Sequence, residues 1–294
     1  MPARSTSGDL KTAALERVLG FEILPAPFVI AHLQIGLLLE TLGAPLNDSK
    51  NERVGVYLTN SLTGWEPPKE KPKQMILMPE LEQERDAANR VKQGKKIIVV
   101  LGNPPYNGFA GVSPEEENDL VEPYKKGLIS EWGIKKFNLD ELYVRFFRLA
   151  EKRIAEHSGM GVVSFISNHS WVSEPSFVVM RRHLLNSFDR FWIENMHGNR
   201  KISEYAPDGR TSETVFAIPG FSVGIQQGVA ISLWVKHAKR KTEPLVRFRN
   251  DINSAKATER RAQLTASLSM NNFDAQYETA APSAENRWSF RPAK

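Results

Sequence analysis

The chain has 294 residues, 41% of them hydrophobic and 25% charged, with a net charge of +5. That is enough for one full α/β core with an appendage, and the composition is ordinary for a globular protein in water. No apolar run is long enough to span a bilayer, and Met1-Pro2-Ala3-Arg4-Ser5 lacks a signal-peptide core, so a cytoplasmic protein is expected; zero cysteines exclude disulfides, thiolate zinc sites and a cysteine nucleophile.

Residues 1–14 read as a loose, small and polar end. Val18 to Leu24 reads as a strand carrying Glu22. Pro25 and Pro27 then open a long apolar helix through Phe28, Ala31, His32, Ile35 and Leu39, ending near Gly43. His32, on that apolar helix, is expected as a satisfied core histidine. Val54 to Leu58 forms the next strand, followed by Thr59-Asn60-Ser61-Leu62. Residues 65–94 begin with Pro67, Pro68 and Pro72 and end in a polar helix from about Glu80 to Gln93, to which no chemistry is assigned.

Ile97-Ile98-Val99-Val100-Leu101 is short, β-branched and bounded by Lys95-Lys96 and Gly102, which predicts a buried strand of a parallel sheet. Asn103-Pro104-Pro105-Tyr106 follows at its carboxyl end, the edge at which open α/β sheets bind ligands. The prolines fix φ, remove two backbone donors and push Asn103 out of the helical region. The result is rigid and rich in acceptors, with the Asn103 amide oxygen, the proline carbonyls and the flat Tyr106 ring. Two acceptors gripping an exocyclic NH₂ would aim its lone pair at an electrophile and stabilise the developing positive charge. The bare tetrapeptide has a second reading, a Pro-rich turn after a strand.

Gly108 to Gly133 reads either as a lid over a bound ring or as a long surface loop. Glu115-Glu116-Glu117, beside Pro114, fits the first turn of a helix better than acid/base work. Asn138 is expected to open a helix with Glu141 reaching back as a capping box, with Leu142, Phe146, Leu149 and Ile154 inward and Arg145, Arg148, Lys152 and Arg153 solvated, ending at Gly159. Gly161 to Ile166 is a strand with Asn168-His169-Ser170-Trp171 at its carboxyl end, candidates for lining a base pocket. Phe177 to Phe188 predicts a helix with Met180, Leu184 and Leu185 inward, and Phe191 to Glu194 the next strand. His197-Gly198-Asn199-Arg200-Lys201 lies in a polar loop suited to a phosphate contact. Thr214 to Ile218 and Val229 to Val235 alternate like an antiparallel pair at a sheet edge. From Lys236 on, 12 Lys/Arg face 6 Asp/Glu, whereas residues 1–235 carry 27 against 28. So asymmetric a charge suggests either nucleic acid as partner or a solvated, partly disordered tail.

The tetrapeptide Asn103 to Tyr106 resembles the signature of S-adenosylmethionine-dependent DNA adenine-N6 methyltransferases. Gly20-Phe21-Glu22, Ala31-His32-Leu33, Tyr57 to Leu62, Asn138 to Tyr143, Gly161-Val162-Val163 and Gly228 to Ser232 extend the likeness over roughly residues 18–240. Together they are similar to the methyltransferase region of single-chain bacterial restriction-modification enzymes of type ISP. The resemblance implies an α/β fold with a Rossmann-like methyltransferase sheet, mostly parallel with an antiparallel end. It implies a domain over 1–240 and a basic extension over 241–294 where a target-recognition region would start. Asn103, Pro104, Pro105 and Tyr106 would be catalytic, transferring methyl to the N6 of an adenine flipped out of double-stranded DNA. Glu22 would hold the cofactor ribose and Asn60 would read its adenine, though Glu22 also fits a helix start and Asn60 a turn.

No Gly-x-Gly follows an apolar strand before Glu22, since Gly8 and Gly20 stand alone. In the family that loop cradles the methionine half of S-adenosyl-L-methionine. The expectation is therefore a fold whose first strand and glycine loop are missing, supplied by a separate polypeptide or lost. No metal ligand spacing occurs among the six histidines. Two alternatives stay open: an inactive fragment or DNA-binding remnant, and a methyltransferase acting on protein glutamine amides.

Overall fold

The computed structural model describes residues 7–67, 79–106, 117, 119–217, 225–240 and 242–293. They fall into two compact units: one of described residues up to Lys95 with Glu117, the other of the remaining residues from Lys96 on.

In the first unit, α1 (Ser7–Glu16) precedes β1 (Gly20–Glu22), α2 (Pro25–Thr41), β2 (Val56–Leu58) and α3 (Pro79–Gly94). The loose end expected over 1–14 is corrected from Ser7 on: Leu10, Ala14 and Leu15 pack on the core, and Lys11 pairs with Glu52 at 2.5 Å. β1 and β2 pair in parallel, Glu22 opposite Leu58. Pro25 and Pro27, with their fixed φ and no N–H to satisfy, start α2. Its inward residues Phe28, Ala31, Ile35 and Leu39 cover Val54 and Val56. His32 donates from Nε2 to the Val56 carbonyl at 3.0 Å, the satisfied core histidine expected. Outward on the same helix, Val29, Ile30, Leu33, Leu37 and Leu38 remain about half exposed.

The second unit holds β3 (Val99–Gly102), α4 (Glu122–Lys125), α5 (Leu142–Glu151), β4 (Gly161–Asn168), α6 (Val178–Ser187), β5 (Arg190–Asn195), β6 (Val229–Lys236), β7 (Leu245–Arg249), α7 (Ala257–Ser267) and β8 (Glu278–Ala280). Its sheet has the order β3-β4-β6-β5-β7-β8. β3, β4, β5 and β7 run one way, and β6 and β8 run against them. The expected mixed α/β sheet is therefore present, with details that differ. β6 lies inside the sheet between β4 and β5 rather than at its edge, and Thr214 to Ala217 form loop and turn, while Ile218 lies outside the described residues. The region beyond residue 240 supplies β7, α7 and β8 to this same unit. Among the described residues β3 is a sheet edge, paired with β4 alone, and Val99 and Leu101 are 51% and 73% exposed rather than buried as predicted.

Phe147, Phe165, Trp171, Phe188, Phe191, Trp234 and Phe290 form a buried aromatic core, with Phe147 and Trp234 centroids 4.7 Å apart. α5 packs its apolar face there, but it starts at Leu142: Glu141 stands at its N-cap without a side-chain cap bond, so the capping box from Asn138 does not form. After Glu151 the chain winds as a π-helix over Lys152–Ser158 and stops at Gly159, φ 71°, as the glycine predicts. The wider π turn carries Arg153 inward to 7% exposure, and Arg148 pairs with Glu151 and Glu156, so neither is solvated as expected. Phe146 is only half-buried, while Tyr143, Val144 and Phe147 are fully buried. Within the expected lid, Val121, Tyr124 and Leu128 are core residues and the Tyr124 hydroxyl donates to Glu151 at 2.8 Å; residues 107–116 and 118 lie outside the described residues.

Candidate functional site

Asn103 to Tyr106 leave the carboxyl end of β3 as an extended segment, next to the carboxyl end of β4. At Gly102 a Cβ would stand 3.0 Å from the Phe165 ring, a tight contact that the bare glycine avoids. Pro104 is buried and anchors the segment; Asn103 and Pro105 are exposed. Tyr106 donates from its hydroxyl to Asn103 Oδ1 at 3.4 Å, at the long limit of a hydrogen bond. The Phe216 ring lies 6.2 Å from the Tyr106 ring at 60°, and burial pushes the Tyr106 hydroxyl pKa well up, so it stays a neutral donor. The Pro104 carbonyl accepts no hydrogen bond from the described residues. Among the described residues, the segment thus offers one unengaged and one weakly engaged acceptor beside an aromatic face.

The neighbouring carboxyl ends are mostly engaged in structure. Asn168 accepts from the Ser170 N–H and donates to Gln227, and Trp171 is fully buried with its indole N–H on Ser167 Oγ. Trp171 is thus a core residue, not a pocket lining. His169 presses against Gly228, where a Cβ would come within 2.5 Å of its Nδ1, and burial holds its pKa below the usual imidazole range.

Glu22 and Asn60 lie at the adjoining carboxyl ends of β1 and β2 in the first unit. Glu22 Oε1 accepts the Leu24 N–H at 2.8 Å, at the start of α2, and Oε2 has no partner among the described residues. Asn60 is bound on both sides of its amide: Oδ1 accepts the Leu62 N–H at 2.9 Å, and Nδ2 donates to Glu117 at 2.9 Å. Under the same loop, Lys92 is 1% exposed and donates to Thr59 Oγ1 and to the Asn60 and Thr63 carbonyls at 3.1, 2.7 and 2.9 Å. Its ammonium also lies 5.0 Å from the Phe21 ring centre. The sequence reading missed Lys92; the signal for it was its place four residues after Ala88 on the inward face of α3. Glu117 was likewise passed over as a helix-start residue. Glu115 and Glu116 lie outside the described residues.

The loop after β5 is pinned from within. Glu204 takes His197 Nδ1 at 2.7 Å and the Asn199 N–H at 2.8 Å, and these bonds outweigh burial to hold its carboxyl pKa below the ordinary range. Many tail cations are likewise spent internally. Arg240 donates to Asp189 and to the Leu185 and Phe188 carbonyls, and Arg249 to Asp251 and Ser267. Among the described residues no group of three His, Asp or Glu side chains could hold a metal ion, and no helix is long and apolar enough to cross a membrane.

No protein-family model matches the sequence, and no curated protein matches it. Among solved structures, the ATP-dependent type ISP restriction-modification enzyme LlaBIII bound to DNA matches 97% of this chain with a TM-score of 0.75 and 20% identity. A DrdV-DNA complex matches 96% with a TM-score of 0.74, and a nuclease-deletion mutant of the type ISP enzyme LlaGI with a DNA substrate mimic 97% with 0.72, each at 20% identity. This chain spans 18%, 26% and 22% of those three chains. At this identity the likeness is one of fold: a Rossmann-like mixed α/β sheet of the kind found within restriction-modification enzymes.

Proposed function

We propose that this chain is the methyltransferase part of a restriction-modification system, acting on the N6 amine of adenine in double-stranded DNA with S-adenosyl-L-methionine as donor. The observation that carries the reading is Asn103-Pro104-Pro105-Tyr106 at the carboxyl end of β3, where, among the described residues, nothing donates to the Pro104 carbonyl and Asn103 Oδ1 takes a single 3.4 Å bond. A flipped adenine exchanges that long bond for its own N–H. Asn103 Oδ1 and the Pro104 carbonyl then accept both amine protons, and the Tyr106 ring stacks on the base. Holding the protons draws the nitrogen lone pair out of conjugation with the ring, and the acceptors stabilise the positive charge that grows on nitrogen. Pro105 stiffens the segment so that the acceptors need no reorganisation. The sulfonium cofactor supplies an electrophilic methyl group for direct displacement.

The ribose end of that cofactor fits Glu22 Oε2, which has no partner among the described residues. Asn60 fits less well as a reader of the adenine, because its amide oxygen is already taken by Leu62. For the methionine end the sequence has no glycine loop, and no residue of this chain is assigned to it. The open edge of β3, with Leu101 73% exposed, supports the addition of a further strand by another polypeptide. The exposed Arg200 and Lys201 favour DNA over a protein glutamine amide as substrate.

Calorimetric titration of S-adenosyl-L-methionine into the purified chain tests this, with Glu22→Ala as control. Micromolar binding that falls at least tenfold in the control is expected, followed by methyl transfer to unmethylated adenine-containing DNA that Asn103→Ala abolishes. Binding unaffected by Glu22→Ala would remove the ribose assignment. Methyl transfer that survives Asn103→Ala would remove the amine site.

A further inference from the structure

The connection from β5 to β6 carries a feature that the methyl-transfer site leaves unused. Ile202 and Tyr205 are 70% and 66% exposed at the tip of the loop 199–212, flanked by exposed Arg200 and Lys201. The loop is built to hold these apolar side chains out. Glu204 ties His197 and Asn199 together, Ser203 turns the tip at φ 50°, and Tyr205 bridges to Thr211. The roots are as firmly fixed. Gly198, φ 83°, lets the two sides meet where a Cβ would stand 2.5 Å from the Glu213 carbonyl. Arg260 of α7, fully buried, donates from Nη1 to the Met196 carbonyl at 2.8 Å and to Ser212 Oγ at 2.9 Å, one on each side of the loop. The same connection then delivers Phe216 to the Tyr106 ring.

We propose that this loop is a wedge for duplex DNA: Ile202 and Tyr205 enter the base stack and fill the space left by an extruded base, while Arg200 and Lys201 hold the phosphates beside it. The assignment rests on the DNA reading above and adds the residues that open the duplex. Two apolar side chains on a narrow tip are too few for a protein interface, which needs about 800 Å² from each partner. They match what minor-groove and base-flipping proteins insert between base steps, with adjacent cations on the backbone. Preformed rigidity is what such a wedge requires, because ordering the loop at the moment of insertion would oppose binding.

The test compares binding of the full chain to a short labelled duplex with binding to the same duplex carrying one abasic site opposite an adenine. The abasic duplex has a ready-made gap, and filling it with an aromatic ring is worth about tenfold in affinity, at roughly 1.4 kcal/mol per tenfold. The wild-type chain is expected to prefer it by about that factor. Ile202→Ser with Tyr205→Ser should erase the preference without altering the slope of log affinity against log salt, and Tyr205→Phe should keep it. Arg200→Gln with Lys201→Gln should weaken both duplexes equally and reduce the slope of log affinity against log salt by about 2. A wild type without preference, or a serine variant that keeps it, overturns the wedge alone. A wild type that binds neither duplex overturns the DNA reading with it.

Discussion

The second unit encloses a core of stacked and edge-on aromatic rings, all but out of contact with water; the first buries only Leu39, Ala44, Val54 and Val56 as a cluster and leaves five aliphatic side chains of α2 half exposed. The two are built by the same rule, a helix laid on parallel strands. They differ in how many elements share each core. In the second unit α5 and α6 both cover a six-stranded sheet, and the segment that carries Phe290 closes over Trp171. In the first, two short strands cannot cover a helix that is apolar all round. Such a helix has the sequence of one enclosed on every side. The difference teaches that α2 encodes more burial than its own unit supplies.

The comparison breaks hardest at Trp234. Its ring is fully buried against Phe147, Trp171 and Phe188, so Trp234→Ala should cost about 3–5 kcal/mol, read as a lower urea midpoint of the near-ultraviolet signal. Leu33→Ala, at 57% exposure, should change stability by less than about 0.5 kcal/mol. Equal losses from the two would show that α2 is as enclosed as the aromatic core.

A smaller effect sits at the rim of the second unit. Burial alone would raise the Asp189 carboxyl, but the His237 N–H and Arg240 Nε, each 2.7 Å away, hold its pKa below the ordinary carboxylate range. A depressed folded pKa gives stability that is present above the unfolded value of about 3.9 and lost as pH falls through the folded value. The second unit should therefore weaken in acid from about pH 4 downward. Asp189→Asn should cost about 1–3 kcal/mol at pH 7 and flatten that acid limb. An unaltered acid limb in the variant would place the sensitivity elsewhere.

What the sequence revealed follows from locality. The strands that begin at Gly161 and Val229, the proline entry to α2 and the glycine end of the helix after α5 depend on a few neighbours, and each is found where its residues predict. So is the placement of Asn103 to Tyr106 at a strand end. The expectations that failed depend on partners far along the chain. Whether β3 is buried depends on a strand beside it, not on its own β-branched run. The positive charge from Lys236 on suggested either a nucleic-acid partner or a solvated, partly disordered tail; the second does not hold for Arg240, Arg249, Arg260 and Arg261, which donate to carbonyls and side chains up to 64 residues away. Composition counts charge; it does not show which charges are already satisfied.

The finest probe of the contrast lies on α2 itself. Leu33 and Leu37 are one helical turn apart, 57% and 49% exposed, so their surface is wet in this unit and its removal should cost little. Leu33→Glu with Leu37→Lys places an ion pair at the favourable spacing, worth about 0.2–0.5 kcal/mol to the helix. The folded signal should stay within about 0.5 kcal/mol of wild type, while binding of a hydrophobic dye and self-association both fall, because the exposed aliphatic patch that drives them is interrupted. If the pair instead unfolds the first unit, the charges have entered an enclosed space and α2 is covered on both faces. The two units would then differ in size, not in closure.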